Sequence, residues 1–317
     1  MTEPGTKPHG TGATEWIGPT ALVLSVLLLG TNWPVLKIAL RGTTPIWFSS
    51  ARLLSAGVMY ALLLAAQRRL IWPPRIEWPI ILVLGVFQSA LMMGLLTVGV
   101  SIVGAGRSAI LAYTMPIWMI PGAALLLHER AWHAHLVALL LGVIGLVTLF
   151  GPLDFDWSDR RVILGNASVL ICAMAWSFTL LRVRGHVWRV APMQVMPFQT
   201  LLGGLLLPFA AAFEGAAPRI ARSWEFLLSF SYVSIAATFI AFWLVVEVAR
   251  RLPSARMSLG QLAAPVIGVA ASVLSLGERP SRGSLIGLAL ILLGVDVSAG
   301  FSPTQPAPVA PAQKRLR

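Results

Sequence analysis

The sequence predicts an all-α polytopic membrane protein with ten transmembrane helices, arranged as two inverted five-helix repeats. Composition is the first reason: hydrophobic residues make up 57% of the 317 residues and charged residues 11%, whereas a soluble domain carries about 25% charged residues. Internal repetition is the second. Pro116–Arg130 (PIWMIPGAALLLHER) and Pro265–Arg279 (PVIGVAASVLSLGER) lie 149 positions apart, and duplicated hydrophobic halves are typical of transporters.

The individual spans follow from the thickness of the bilayer. A hydrocarbon core of about 30 Å requires roughly 20 apolar residues per helix. Ten runs of about this length are separated by charged and turn-forming residues, and they lack the alternation expected of strands. The predicted spans are Ile17–Ile38, Ile46–Ala66, Ile80–Val100, Gly106–Leu127, Ala134–Gly151, Val162–Leu181, Val195–Phe213, Phe226–Val248, Ser254–Leu276 and Ser284–Gly300.

These spans define the domain organisation. Residues 17–151 form the first repeat and residues 162–300 the second, between cytoplasmic tails at 1–16 and 301–317. The second tail is rich in Pro and Ala and is predicted to be disordered. Because each half has five spans, the second half is inverted relative to the first, and a substrate site is expected where the halves meet.

The basic residues indicate orientation rather than nucleic-acid binding. The net charge is +12, but the Lys and Arg residues lie in short loops between apolar runs. There they act as topology signals and contact lipid headgroups. The side that holds both termini carries the excess of Lys and Arg, which predicts cytoplasmic termini in the plasma or inner membrane.

Several motifs resemble a known family. Leu29–Trp33 (LGTNW) followed by Lys37, Pro45 followed by Arg52, and the Pro-to-Glu-Arg ends of spans four and nine are similar to EamA-type permeases of the drug/metabolite transporter superfamily. The resemblance covers about residues 17–300. It implies ten helices, both termini inside, and a central cavity lined by helices one, three, four, six, eight and nine. It also implies export of amino acids or other small metabolites, with import by some members. One position departs from the family, in which a Trp often stands where this chain has Leu29.

Polar side chains inside spans mark either interhelical hydrogen bonds or a substrate pathway, because they are costly in lipid. The candidates on spans that line the cavity of the resembling family are Asn32, Gln88, Thr114 and Gln261. Gln199 and Thr238 are assigned instead to helix packing. Arg52 lies about 10 Å along its helix from Pro45. It is a candidate for binding a substrate carboxylate, with snorkelling toward the interface as the alternative.

Four tryptophans lie inside spans, away from the interfacial belt where Trp is usually found. They are Trp33, Trp118, Trp176 and Trp243. We interpret them as an aromatic cavity wall that binds ligands by burial, stacking or cation–π contact, with core or lipid-facing packing as the alternative. Thr114 and Trp118 are four residues apart, so they share a helix face.

The repeated prolines and glutamates have structural interpretations. Pro116 and Pro265 each remove a backbone donor within a span and predict two symmetric kinks, which are either gates for alternating access or static bends. Glu129 and Glu278 are expected at the start of the helix that follows each, where the helix dipole favours a carboxylate.

A small-residue motif near the end of the chain bears on assembly. Gly287 and Gly294 are seven residues apart and predict close helix packing. The sequence leaves open whether that packing lies within one chain or in a homodimer.

The sequence predicts no metal or cofactor. His128 and His133 flank a Glu, but ligands five apart on a helix diverge by about 140° and cannot share one zinc ion. No phosphate-binding GxxxxGK[ST] motif is present, which argues against ATP-driven transport. No carboxylate lies at mid-membrane to form a proton relay, so the coupling ion stays open.

The predicted function is therefore a secondary transporter that exports small organic metabolites, such as amino acids or amphipathic compounds, by alternating access. Its predicted partners are the lipid bilayer and a small-molecule substrate. An importer of similar metabolites is one alternative, and a sensor or scaffold without transport is another. An intramembrane enzyme is disfavoured because the spans lack a catalytic constellation.

Overall fold

The computed structural model describes residues 16–127, 133–150, 157–213, 217–252 and 254–300, which form helices joined by short loops. The helices are α1 (Ile17–Ala39), α2 (Pro45–Ala66), α3 (Trp78–Val83), α4 (Met93–Ile102), α5 (Ala105–Ala112), α6 (Met115–Leu126), α7 (His133–Leu149), α8 (Arg160–Arg184), α9 (Pro192–Phe213), α10 (Trp224–Ser231), α11 (Ala241–Arg251), α12 (Ser254–Gln261), α13 (Ala263–Leu276) and α14 (Arg282–Gly300). A 3₁₀ turn, Arg75–Glu77, precedes α3. Two π-helical segments join α3 to α4 and α10 to α11: the first π segment is Leu84–Met92 and the second is Tyr232–Ile240.

Within the described ranges, seven helical stretches are long and apolar enough to cross a membrane. They are Ile17–Ala39, Pro45–Ala66, Arg75–Ile102, Ala105–Leu126, Arg160–Arg184, Pro192–Ala212 and Trp224–Val248. His135–Leu149 and Ala263–Leu276 are shorter apolar helices. The all-α multi-pass membrane class is thus confirmed, while the count of ten spans and the inversion of the repeats stay predictions.

The two halves pack against each other through two pairs of corresponding helices and through the first helix. Helix α2 packs on α9, α7 packs on α14, and α1 packs on α13 and α11. The buried core draws side chains from both halves, including Leu36, Phe48 and Val269. Large apolar side chains such as Leu125 and Leu274 are exposed on the outside, where lipid rather than water is the expected neighbour. The core therefore holds together two halves that each supply part of it.

Paired glycines allow the closest of these approaches. A Cβ added at Gly145 of α7 would lie 2.9 Å from the Gly287 carbonyl oxygen, and one added at Gly287 of α14 would lie 2.7 Å from the Gly145 carbonyl oxygen. A Cβ at Gly294 would lie 2.8 Å from the Ala138 carbonyl oxygen. The packing of Gly287 and Gly294 is therefore within one chain, and a homodimer stays a prediction that these two glycines no longer support.

We predict that Gly287→Leu destabilises the protein, because a side chain there would collide with α7 backbone that cannot move aside. Overpacking of this kind costs about 1–3 kcal/mol or more. Ala289→Leu is the control, since Ala289 lies on the exposed face of the same helix. Thermal unfolding of the purified proteins in detergent should give a melting temperature several degrees lower for Gly287→Leu alone. Equal melting temperatures would contradict the packing.

Candidate functional site

The two π segments occupy corresponding places in the two halves. Ser89 in the first segment and Thr238 in the second are 149 positions apart, the same offset that joins the repeated motifs. A π segment widens a helix by one residue per turn, is rare, and occurs frequently at functional sites. Neither π segment was predicted from the sequence. The 149-residue offset was the signal that could have matched Ser89 with Thr238.

A cavity lies between the π segments and the α2/α9 pair. The cavity is small in this structure: its enclosed volume is about 20 Å³, enough for about one water molecule, and a metabolite would fit only once the walls move apart. Its lining residues are Leu53, Tyr60, Gln88, Ser89, Met93, Met196, Gln199, Thr200, Thr238 and Phe242. Each half contributes two of the four walls, so the cavity lies where the halves meet. The lining combines aromatic and thioether surface with amide and hydroxyl groups.

Polar side chains of α2 hold the cavity wall in place. The Tyr60 hydroxyl lies 3.0 Å from the carbonyl oxygens of Thr238 and Phe239, to which it donates. Arg52 Nε donates to Thr238 Oγ1 at 2.6 Å, and that hydroxyl donates to the Val233 carbonyl oxygen at 2.7 Å. The second π segment is thus tied to α2, whose Tyr60 hydroxyl donates to two of its carbonyl oxygens and whose Arg52 guanidinium donates to its Thr238 hydroxyl.

Among the sequence-derived candidates, Gln88 lines this cavity, and Arg52 reaches it through Thr238. Gln199 and Thr238 were assigned to helix packing. Thr238 does join two helices through its hydrogen bond with Arg52, but both residues also line the cavity. Gln199 corresponds to Arg52 at an offset of 147. The structure places it on α9 opposite α2, because these two helices pack together along their length.

Three other candidates form a separate group on the interrupted fourth span. Trp118 Nε1 donates to Thr114 Oγ1 at 3.4 Å, and that hydroxyl donates to the Leu111 carbonyl oxygen at 2.6 Å. Trp176 of α8 packs edge-on against Tyr113, with ring centroids 6.1 Å apart. Thr114 and Trp118 thus share a helix face as predicted, and Trp176 lies beside the same helix break, but all three are outside the lining of the cavity described above.

The remaining candidates lie apart from the cavity lining. Asn32 is buried, and its Oδ1 has no hydrogen-bond partner in the described part of the chain. Trp33 is buried against Gly268, where an added Cβ would lie 2.7 Å from Trp33 Cδ1. Gln261 Nε2 donates to Ser25 Oγ at 3.4 Å. Trp243 is 40% exposed, which fits the lipid-facing alternative better than a cavity wall.

Both helices that contain the repeated prolines are interrupted. The break between α5 and α6 is at Tyr113 and Thr114, and the break between α12 and α13 is at Leu262. Tyr113 and Leu262 are 149 positions apart. Pro116 and Pro265 therefore lie just after the interruptions, in the first turn of α6 and of α13, where a missing backbone donor is tolerated. Their gating role stays a prediction.

A two-residue turn, Val103-Gly104, joins α4 to α5. It is flanked by an ammonium group of α1 and by a carboxylate that follows α13. Lys37 Nζ of α1 donates to the carbonyl oxygens of Val100 at 2.7 Å, Ser101 at 3.0 Å and Val103 at 2.8 Å. A cation at a helix C-terminus and an anion at an N-terminus are each favoured by the helix dipole. We call Lys37, Glu278 and the turn between them the charged clamp.

Glu278 corrects a prediction. Its carboxylate accepts from Ala105 N at 2.6 Å and Gly106 N at 2.8 Å, so it caps α5 of the first half and not the helix that follows it in sequence. The helix dipole favours this carboxylate as predicted, but at the N-terminus of α5. This is because α13 packs on α5 and brings its C-terminal end close to the start of α5. Glu129 lies outside the described residues.

Comparisons with known proteins extend this picture. The model of the EamA-like transporter family matches residues 16–151 and again residues 163–299. The uncharacterized transporter YoaV of Bacillus subtilis is 24% identical over 275 residues, which are 86% of this chain and 94% of that protein. A probable amino-acid metabolite efflux pump of Escherichia coli is 22% identical over 287 residues, 87% of this chain and 92% of that protein. One solved crystal structure is similar in fold, with a TM-score of 0.58 at 22% identity, over 91% of this chain and 97% of that one.

The charged clamp predicts a measurable change in access to the turn. In a Cys172→Ala background, which removes the only cysteine, Ser101→Cys reports access by maleimide labelling of the purified protein in detergent. Glu278→Ala should raise the labelling rate by about tenfold, because it removes two charge-assisted hydrogen bonds worth ~1.5–3 kcal/mol each.

Glu225→Ala is the matched control. Glu225 also pairs with a basic residue of the other half, Arg41, but both side chains are about 60% exposed, and exposed pairs contribute little. Its labelling rate should equal that of the background. Equal rates in all three proteins would show that the clamp does not hold the turn closed.

Proposed function

Because the chain belongs to the EamA-like transporter family, we propose that it is a secondary transporter that exports small organic metabolites by alternating access at the cavity between its two halves. The chain is a multi-pass membrane protein, and its relatives are named transporters and efflux pumps. The cavity itself carries the proposal. It is bounded by two helices from each half and by both π segments.

Exchanged contacts between the halves support an inverted repeat over residues 17–151 and 162–300. Glu77 accepts from Arg189 N at 2.6 Å, and Arg41 pairs with Glu225 at 3.4 Å. The two glutamates are 148 positions apart, as are the two arginines. Each half therefore contacts the other through corresponding residues, one through the Arg189 backbone amide and one through the Arg41 guanidinium, as expected if a twofold axis relates the halves.

This arrangement provides a route for alternating access. In our proposal both termini are cytoplasmic and the protein lies in the plasma or inner membrane, so the charged clamp is at the outer end. In that orientation, we propose that the charged clamp closes the outer entrance to the cavity. The helix breaks before Pro116 and Pro265 are the hinges, because an interrupted helix has lost part of its hydrogen-bond ladder and bends there at lower cost.

The lining indicates a substrate class. Met93, Met196 and Phe242 suit an apolar body, while Gln88 and Gln199 offer amide groups. Amino acids and other amphipathic metabolites match this combination, and two relatives are named probable amino-acid metabolite efflux pumps. We assign Thr114, Trp118 and Trp176 to the path beside the fourth-span break, and Asn32, Trp33 and Gln261 to the interface of α1 with α12 and α13.

Export can be tested by mass spectrometry of the culture medium. Cells that produce the wild type should accumulate one metabolite class outside, and Gln88→Leu should reduce that accumulation by about tenfold, because it removes the amide without changing the side-chain size much. Val86→Leu is the control, because Val86 lies two residues away in the same π segment but is exposed and outside the lining.

The other outcomes separate the alternatives. Faster loss of a metabolite from the medium with the wild type would favour an importer. A medium identical to that of cells lacking the protein, together with equal uptake, would contradict transport and favour a sensor or scaffold. Equal export by the wild type and Gln88→Leu would leave transport standing and remove Gln88 from the binding site.

A further inference from the structure

Arg52 is a buried cation beside the cavity. Its side chain is 2% exposed, on a helix that crosses the membrane. Its Nε donates to Thr238 Oγ1, and Thr238 lines the cavity. Its NH1 is buried and has no hydrogen-bond partner in the described part of the chain. The burial excludes snorkelling to the interface, which was the alternative reading of this residue.

No described carboxylate neutralises Arg52. Those in the described ranges have other positions: Glu77 binds His186 and the Arg189 amide, Asp159 caps α8, Glu225 pairs with Arg41, Glu247 pairs with Arg251, Glu278 caps α5, and Asp296 is exposed on α14. A buried charge is retained when it is paired or when it serves a substrate pathway. Because no described carboxylate pairs with Arg52, the remaining role for its charge is in a substrate pathway.

The groups around the cavity complement an anion with an apolar body. An ionised carboxylate accepts several hydrogen bonds, and guanidinium and amide groups supply donors of suitable geometry. The structure offers the free NH1 of Arg52 and the side-chain amides of Gln88 and Gln199. The thioether and aromatic side chains of the same lining receive hydrocarbon.

We propose that the transported substrates are monocarboxylates with an apolar body, and that the substrate carboxylate is the counterion of Arg52. This deepens the proposed transport function and rests on it. The pairing explains how an anion enters the membrane interior, because a charge that meets an opposite buried charge avoids most of its desolvation penalty. It also gives a role to the cation that α2 holds beside the cavity, where the corresponding position of α9 carries an uncharged Gln199.

The test compares two probes of the same shape. Binding of 3-phenylpropanoate and of its uncharged amide, 3-phenylpropanamide, is measured by titration calorimetry on the purified full-length protein in lipid nanodiscs. The wild type should bind the carboxylate at least about tenfold more tightly than the amide. Arg52→Gln should bring the two affinities within about twofold of each other by weakening the carboxylate alone.

A charge-swap variant guards against misfolding. Arg52→Gln/Gln199→Arg moves the cation to the corresponding position of the other half, still beside the cavity, and should restore at least part of the preference. Size-exclusion chromatography and the melting temperature show which variants are folded. If Arg52→Gln does not fold, the comparison in the wild type and in the swap variant still decides.

Several results would overturn the inference, and they differ from failure of transport. Equal binding of both probes by the wild type, binding of neither, or a preference that survives in folded Arg52→Gln would each show that Arg52 does not select a carboxylate. Metabolite export measured in the medium would be unaffected by those results, so the proposed transport function would stand. Loss of export by the wild type would instead count against transport itself.

Discussion

The structure depends on one constraint, which is that backbone groups inside a bilayer must find partners within the protein. A continuous α-helix meets this requirement alone, so each irregular stretch needs help from elsewhere. The second π segment receives it from the Tyr60 hydroxyl. The turn between α4 and α5 receives it from Lys37 and Glu278, whose charges reach three carbonyl oxygens and two amides. The irregular stretches are therefore also the places where separate helices are tied together. The contact of Glu278 with α5 ties the two halves together as well.

The two halves share shape more closely than they share chemistry. Arg52 and Gln199 occupy corresponding positions on helices that pack together, and both are buried. Only one of them carries charge. In the function we propose, a cation beside one wall of the cavity and an uncharged amide on the facing wall would orient a charged ligand in one direction. Exchange of conformations between the halves could then open alternate sides without any exchange of the groups that bind the ligand.

Run length and hydropathy predicted the helices to within a few residues, because the bilayer fixes both the length and the composition of a span. Prediction was poorer where the partner is remote. Glu278 was placed on its own following helix by a local rule, whereas its carboxylate binds α5, 173 positions away in the chain. The π segments had no local signal at all, since Tyr60 and Arg52 support the second one from α2. Thr238 was assigned to packing, and in the structure it both bonds to Arg52 of another helix and lines the cavity.

Five side-chain polar atoms in the part of the chain that the structure describes are buried without a hydrogen-bond partner, and three of them belong to segments that form the cavity walls. These three are Arg52 NH1, Gln199 Oε1 and Ser234 Oγ, while Asn32 Oδ1 and Ser108 Oγ lie elsewhere. Leaving such an atom unsatisfied costs ~1–3 kcal/mol, and more for a charged group. A binding protein can recover that cost when a polar ligand arrives. A transporter must also release its ligand, so the recovered energy has to be shared with the conformational change that opens the other side. Thr238 already accepts one hydrogen bond from Arg52, so a ligand would recover only part of the cost of burying that cation, which favours release.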